Sequence, residues 1–508
     1  METYTLESYI GFLRSLNLVK NVFCPREILG RTVSLVSFNS KQVTGGTLFV
    51  VKGTHFRPQY LQDAAEAGAF CYISEEKVPG VDLPCVLVTD IRLAAAHLAQ
   101  KFYNEPWRRL KVTGITGTKG KSTTAYFIKG ILDAWEKSHG RPETALISSF
   151  MTYNGAERFE SVLTTPEPLD LERHFYTAAE HGISYATMEV SSQALKYDRV
   201  LGVTFDAAVF LNIGHDHISP IEHPTWEDYF SSKLKIFDQC RLAVVNLDSD
   251  HAREIFDRAK EKAGRVVTFS MEDEKADVYG HSLKRDGDRQ QFLARINGRD
   301  ESFEIRMLGK FNVSNALAAI AVCQAYGAPA DCMREGLQST RVAGHMDTYH
   351  SADGKITALV DYAHNQLSFQ KLFDTVREDF PGMRKVIVFG APGGKALDRR
   401  QGMGETAGKY ADFVYITEDD PQEEDPAQIN EQIAQAVRAQ NCPYEIVPDR
   451  REAVRRAVFD CKEPTVILLA GRGEEPSMRR GTKLVPFPTD GELIREVLKE
   501  YDRRNSGA

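Results

Sequence analysis

Short apolar runs separated by polar or glycine-rich turns recur along the whole chain, and their spacing sets the predicted architecture. In the first hundred residues, Gly46-Thr-Leu-Phe-Val-Val51 and Cys85-Val-Leu-Val88 read as strands, with a helical stretch from Tyr60 to Ala69 between them. Proline and polar neighbours at Asn104-Glu-Pro-Trp107 read as a linker. Beyond it, the runs Lys111 to Thr116, Tyr185 to Val190, Ala207 to Asn212 and Ala243 to Leu247 alternate with helical patterns, which predicts βαβ units and a mostly parallel sheet. The last segment repeats this logic with Ile356 to Val360, Lys385 to Phe389, Phe413 to Ile416 and Val466 to Ala470. An α/β protein of three domains is expected, at residues 1–107, 108–343 and 344–508.

Each apolar run of the last segment leads straight into a polar or glycine-rich motif: Asp361-Tyr-Ala-His364, Gly390-Ala-Pro-Gly-Gly394, Asp419-Asp-Pro421 and Gly471-Arg-Gly-Glu-Glu475. Open α/β sheets bind ligands beyond the carboxyl ends of their strands, so these motifs point to a site.

The run Gly114-Ile-Thr-Gly-Thr-Lys-Gly-Lys-Ser122 follows a predicted strand and opens a predicted helix, Ser122 to Leu132. Glycines at 117 and 120 let backbone N–H groups approach phosphate oxygens, and the helix N-terminus adds positive potential. Lys121 would reach the terminal phosphates and the Ser122 hydroxyl would ligate Mg²⁺. The strict pattern wants glycine where Ile115 stands. Magnesium needs further oxygen ligands, and Glu189, at the end of a predicted strand, suits that role. His217 follows another strand in Asn212-Ile-Gly-His-Asp-His217. A helix is predicted from Thr225, with Asp228 three residues on as a capping signal. Trp226, Phe230, Lys233 and Phe237 share one of its faces, so Lys233 is turned inward.

Composition narrows the class. The 508 residues are 42% hydrophobic and 26% charged, ordinary for a globular chain, and the net charge of −8 argues against a general nucleic-acid binder. Eight cysteines include no CxxC pair, so buried free thiols are expected rather than a zinc site. The N-terminus lacks a signal-peptide pattern and no run is apolar enough to span a membrane, which leads to the expectation of a soluble, cytoplasmic protein; a monomer is expected independently of these features.

The phosphate loop resembles the GxxGTxGK[ST] loop of the Mur ligases and their folylpolyglutamate synthetase relatives, which phosphorylate a carboxylate and let an amine attack it. The resemblance extends over essentially the whole chain and is strongest to the members that extend UDP-N-acetylmuramoyl-L-alanyl-D-glutamate (the UDP-MurNAc-dipeptide). It implies a three-domain architecture: a small UDP-binding α/β domain, a central P-loop-type ATP domain and a C-terminal Rossmann-like amino-acid domain. Ser40-Lys-Gln-Val-Thr-Gly-Gly-Thr-Leu-Phe-Val50 resembles the uridine-binding stretch, with Asn39 and Lys41 in place of the usual Asp and Arg. Thr164, Thr165, Ser191, Gln193 and Arg199 match positions that hold the UDP-sugar. For ATP the resemblance implies Gly117, Thr118, Gly120, Lys121, Ser122, Asn212, Asn312, Asp361 and His364; for Mg²⁺ it implies Ser122, Glu189, His217 and Lys233. Lys121, Glu189, His217 and Lys233 are the implied catalytic set, with Lys233 carbamoylated to N6-carboxylysine, a modification that turns a cation into an anionic metal ligand. Where the family reads Gly-Arg-Met-Glu near its domain hinge, this chain reads Gly344-His-Met-Asp347, which leaves open whether Arg341 takes over the task of the missing arginine.

The family motif that selects meso-diaminopimelate is Asp-Asn-Pro-Arg, and here it reads Asp419-Asp-Pro-Gln422. Losing a guanidinium and gaining a carboxylate favours a distal ammonium over a distal carboxylate. With Arg399 and Glu475 as further amino-acid contacts, L-lysine is the expected substrate. Ornithine, meso-diaminopimelate, a folylpolyglutamate-synthetase-like activity and a non-catalytic nucleotide-binding partner are the alternatives.

Overall fold

The computed structural model describes residues 3–53, 56–214, 222–287, 289–342, 344–394 and 397–505. The chain divides into two compact units. The first holds Met1–Leu283 with Phe292–Glu304 and Ser314–Thr340; the second holds Arg341–Ala508 with Lys284–Gln291 and Ile305–Val313.

The first unit contains two sheets of different design. The N-terminal sheet runs in the order Val19–Phe23, Cys85–Val88, Ala69–Ser74, Thr47–Val50, Leu35–Ser37, parallel except for its first pair. Two of these strands, Thr47–Val50 and Cys85–Val88, carry the apolar runs predicted above; Val19–Phe23 has polar, exposed positions and gives no such signal. A helix is found at Pro58–Glu66, starting earlier than the predicted Tyr60 to Ala69 and ending before Ala69, which opens the strand Ala69–Ser74.

An eleven-stranded sheet follows, and its parallel centre positions the site. In spatial order this centre is Ala145–Ile147, Tyr185–Glu189, Lys111–Thr116, Phe205–Phe210, Cys240–Asn246 and Arg265–Ser270. The Lys111–Thr116 strand has parallel neighbours on both sides, so the connections leaving it and its neighbours open a crevice at their carboxyl ends. Antiparallel strands Met151–Tyr153 and Arg158–Glu160 extend one flank.

The second unit is a doubly wound sheet in the order His345–His350, Ile356–Asp361, Thr465–Ala470, Arg384–Phe389, Phe413–Ile416, Tyr444–Ile446, parallel after its first pair. Side-chain alternation divides its core in two. Leu359 packs with Phe369, Phe373, Met403 and Ile433 from helices on one face. Ile356, Ala358 and Val360 pack with Val454, Val458, Ile494 and Val497 on the other. All eight cysteines are free, four buried and four half-buried. No helix among the described residues is long and apolar enough to cross a membrane.

Candidate active site

The phosphate loop is built as its glycines require. Gly117 and Gly120 have φ of 154° and 87°, and the helix Lys121–Ser138 starts directly after them. A Cβ on Gly120 would lie 2.3 Å from Asn315 Oδ1, and one on Gly117 would lie 3.0 Å from Leu211 Cβ. Asn212 closes the loop from the neighbouring strand end. Its carbonyl accepts from the Thr118 N–H at 3.0 Å, its Oδ1 accepts from the Lys119 N–H at 2.9 Å, and its Nδ2 donates to the Lys119 carbonyl at 2.9 Å. Ile115, the departure from the strict pattern, is wholly buried inside the strand, so the close approach falls to other positions. Gly114 serves core packing instead, since a Cβ there would meet the buried Phe205 ring at 2.8 Å.

The helix Trp226–Leu234 brings a second cation to this loop. Thr225 caps it by accepting from the Asp228 N–H at 3.2 Å, as the spacing predicts. Phe237 lies beyond it in a 3-10 turn, Lys235–Gln239. Lys233 is 2% exposed, donates to the Gly117 carbonyl at 2.9 Å and lies 4.8 Å from the Tyr229 ring centroid. Lys121 donates to the same carbonyl at 3.0 Å. Tyr229 joins its hydroxyl to Thr118 Oγ1 at 3.0 Å.

Glu189 ends the strand on the other side of the loop and is 1% exposed. It accepts from the Ser149 N–H at 2.8 Å and the Ser149 hydroxyl at 3.1 Å, which orients the carboxylate. Thr165 Oγ1 donates to the Glu189 carbonyl at 3.0 Å and accepts from the Ser191 N–H at 3.0 Å. Arg199 donates to the Thr165 carbonyl at 3.3 Å and pairs with Glu167 at 2.9 Å. Thr164, Thr165, Ser191 and Arg199 are thus gathered beside Glu189, with Gln193 on the short helix Ser192–Lys196 that Ser191 caps. The Ser122 hydroxyl and the Glu189 carboxylate are hard oxygen donors of the kind magnesium takes. Lys233 joins such a set only as a carbamate. His217 lies outside the described residues.

Two groups here have no counterpart in the sequence reading. Lys52, from the N-terminal sheet, forms an ion pair with Glu167 and so ties that sheet to the Thr165–Arg199 cluster. His223 is fully buried between Asp228 and Ser192. Ser40 opens a 3-10 turn capped by Asn39, whose Oδ1 accepts from the Lys41 N–H at 3.1 Å. Asparagine caps such a turn as aspartate does, which accounts for the departure at this position.

In the second unit, the Asp361 carboxylate accepts from the Met346 N–H at 3.1 Å and the Ala363 N–H at 2.8 Å. His364 is exposed, with Nδ1 2.7 Å from the Tyr362 carbonyl. Asn312 is buried and donates to the Leu308 carbonyl at 2.7 Å. The His345 side chain lies outside the described residues. Asp347, in place of the family's glutamate, accepts from the Gly344 N–H at 2.7 Å. The Tyr362 ring is wedged between Gly344 and Gly473, where added Cβ atoms would lie 2.2 and 2.7 Å from it.

The amino-acid motif is more constrained than its sequence implies. Asp420 and Gln422 have φ of 44° and 54°, and the hairpin Ser477–Arg480/Lys483–Pro486 holds both. Asp420 Oδ1 accepts from the Arg479 N–H at 2.8 Å, and the Gln422 N–H donates to the Arg479 carbonyl at 3.1 Å. Arg472, fully buried, places Nη1 3.6 Å from both Asp419 Oδ1 and Asp420 Oδ1. The two acids therefore face the guanidinium of the Gly471-Arg-Gly-Glu-Glu475 motif, a residue to which no role was assigned above. Burial pushes the Asp419 carboxyl up to about 6, against the opposing pull of Arg450 and Arg472. Arg400 rather than Arg399 organises the loop 391–394. It is 1% exposed, grips Glu424 through two N–H groups at 2.6 and 2.7 Å, and donates to the Pro392 carbonyl at 3.0 Å. Arg399 beside it is half-buried, and the Glu475 N–H donates to the Arg472 carbonyl at 3.1 Å.

Residues 115–323 match the model of the Mur ligase middle domain, and residues 346–473 match that of the Mur ligase glutamate ligase domain. The UDP-N-acetylmuramoyl-L-alanyl-D-glutamate–L-lysine ligase of Enterococcus faecalis is 38% identical over 454 residues, covering 88% of this chain and 87% of that protein. A UDP-N-acetylmuramoyl-L-alanyl-D-glutamate–2,6-diaminopimelate ligase of Caldanaerobacter subterraneus is 34% identical over 502 residues, covering 97% of this chain and all of that protein. Among solved structures, a UDP-N-acetylmuramoyl-L-alanyl-D-glutamate–2,6-diaminopimelate ligase aligns with a TM-score of 0.67 at 22% identity, covering 98% of this chain and 99% of that one. With two family domains matched in chain order and relatives this similar along most of its length, the chain belongs to the Mur ligase family.

Proposed function

We propose that this chain is the ATP-dependent ligase that joins L-lysine to UDP-N-acetylmuramoyl-L-alanyl-D-glutamate in peptidoglycan precursor synthesis. One observation carries the reading: the Nζ atoms of Lys121 and the buried Lys233 meet at the Gly117 carbonyl of a phosphate loop flanked by the oriented Glu189 carboxylate. A cation on a phosphate loop, beside a buried acid and a lysine placed to become a metal ligand, suits transfer of a phosphoryl group to a carboxylate, where positioning and charge neutralisation do most of the work.

The γ-carboxylate of the substrate's D-glutamate attacks the γ-phosphorus of ATP. A carbon–oxygen–phosphorus link forms, the bond to the bridging oxygen breaks, and ADP leaves. The α-amine of the amino acid then attacks the acyl carbon, phosphate departs and the amine gives up a proton. Lys121 and the loop N–H groups hold the phosphates. Thr164, Thr165, Ser191, Gln193 and Arg199 hold the UDP-sugar peptide, with Ser40 at the uridine. Ser122, Glu189, His217 and a carbamoylated Lys233 would hold Mg²⁺, which neutralises phosphate charge when bound. Asn312, Asp361 and His364 are assigned to ATP; Arg399, Asp419, Asp420, Gln422 and Glu475 are assigned to the amino acid.

Lysine addition is supported by the absence of an arginine at Gln422 and by the L-lysine ligases among the relatives. The test is phosphate release with the UDP-MurNAc-dipeptide and a panel of L-lysine, L-ornithine and meso-diaminopimelate, with product masses measured. Dependence on both dipeptide and L-lysine is expected. Faster turnover with meso-diaminopimelate would overturn the choice of amine, and ATP turnover without either substrate would overturn the ligase reading.

A further inference from the structure

His223 sits at 0% exposure between two elements that serve different substrates in the proposed reaction. Its Nδ1 is 2.7 Å from Asp228 Oδ2 and its Nε2 is 2.9 Å from Ser192 Oγ. An ionised carboxylate only accepts, so Nδ1 carries the proton and Nε2 accepts from the Ser192 hydroxyl. Asp228 also accepts from Lys196 Nζ at 2.7 Å, and Lys196 donates to the Glu222 carbonyl at 3.0 Å. The imidazole, the carboxylate and the ammonium form one network, buried at the imidazole and partly exposed at the other two groups.

What the network joins matters more than its bonds. Ser192 opens the short helix Ser192–Lys196, directly after Ser191, which is tied to Thr165 and through it to the Glu189 carbonyl. Asp228 lies in the first turn of Trp226–Leu234, the helix that delivers Tyr229 and Lys233 to the phosphate loop. The His223 ring also meets the Tyr229 ring edge-on, with centroids 5.2 Å apart. The buried imidazole and the more exposed Lys196–Asp228 ion pair therefore both bridge the elements assigned to the acceptor substrate and those assigned to ATP.

We infer that His223 is a positioning residue: it acts through Ser192 on one side and Asp228 and Tyr229 on the other to hold the reacting carboxylate in line with the phosphate loop. This rests on the ligase reading given above. The displacement at stake is small, but misplacing reacting groups by about 1 Å can cost on the order of a hundredfold in rate.

The test compares wild type with H223A, H223Q, S192A and H223A/S192A in the full-length chain. Steady-state phosphate release is read alongside melting temperature and amide hydrogen exchange. H223A and S192A are each expected to lower kcat about tenfold or more, with KM for ATP and for the UDP-MurNAc-dipeptide within about twofold. The double variant is expected to be no slower than the worse single one, because both changes break one linkage. H223Q, whose amide oxygen can accept from Ser192, is expected to recover part of the loss. In S192A the amides of 226–234 are expected to exchange faster than in wild type, a readout that stands whether or not the chosen substrates turn over. Independent, multiplying losses in kcat, or unchanged exchange at 226–234 in S192A, would overturn the inference. Failure of wild type to turn over any diamino acid would instead overturn the ligase reading and leave the exchange result to decide on His223. If H223A does not fold, S192A and H223Q decide.

Discussion

The buried ammonium of Lys233 donates to the carbonyl of Gly117 at 2.9 Å, although the two residues are 116 positions apart in the chain. A lysine enters such a place only if partnered, and its partner here is the phosphate loop itself. Replacing it by alanine removes the buried side chain proposed as a metal ligand and leaves that carbonyl with Lys121. K233A is expected to lose at least about a hundredfold in kcat, in line with the loss of a positioned charge-stabilising group. Phosphate release measures this. Bicarbonate depletion should lower wild-type activity reversibly if the lysine works as a carbamate, and should leave K233A unaffected.

Gly120 leaves no room for a side chain. An alanine there would adopt φ near 87° and press a methyl group into Asn315 Oδ1. Weakening of ATP binding by at least about tenfold is expected for G120A, equivalent to roughly 1.4 kcal/mol. Titration with a fluorescent ATP analogue checks it.

Glu172 is buried on the helix Pro168–Glu180, and burial, with the charge of Glu105 adding to it, raises its carboxyl from 4.5 to about 8. The folded state therefore keeps a proton that the unfolded chain releases above its ordinary value. Stability is fully present below pH 4.5 and is lost as pH rises through about 8, on the order of a few kcal/mol in all. The neutral isostere in E172Q removes this dependence. Between pH 5 and pH 8.5 the melting temperature of wild type should fall by several degrees more than that of E172Q. Parallel curves would show that Glu172 is already ionised in the fold.

Arg400 grips Glu424, and this pairing holds the Glu424 carboxyl down to about 2. Glu424 in turn accepts from the Gly394 N–H at 3.0 Å, so the pair fixes the loop after the strand Arg384–Phe389. Removing the guanidinium leaves the Glu424 carboxylate with only the Gly394 N–H and frees the loop it anchors. R400M should lower the melting temperature and raise KM for L-lysine more than KM for ATP. A rise confined to ATP would place this loop elsewhere in the reaction.

The phosphate loop was legible in the sequence because its residues are neighbours in the chain. Glycine spacing, the preceding strand and the following helix are all local signals. Lys233 was legible for a similar reason, since three aromatic residues mark the face it shares. Lys52 and Glu167 were not, being 115 positions apart, and no periodicity announces an ion pair between a residue trailing a strand and one capping a helix. Arg472 and His223 escaped notice because each stands among residues of obvious interest, and only packing decides which neighbour matters. The amino-acid motif was read as a set of charges. The hairpin that grips Asp420 and Gln422 comes from more than fifty residues later in the chain, and it changes what those charges face.

The Tyr362 ring, wedged between Gly344 and Gly473, has a consequence for how this part of the sequence can drift. Neither glycine can gain a side chain while the ring stays, so any lineage that changes one must first trim the other partner in the sandwich. Substitution at the three positions should therefore be linked across relatives. Alanine or serine at 344 or 473 is expected only where a smaller residue has replaced the tyrosine.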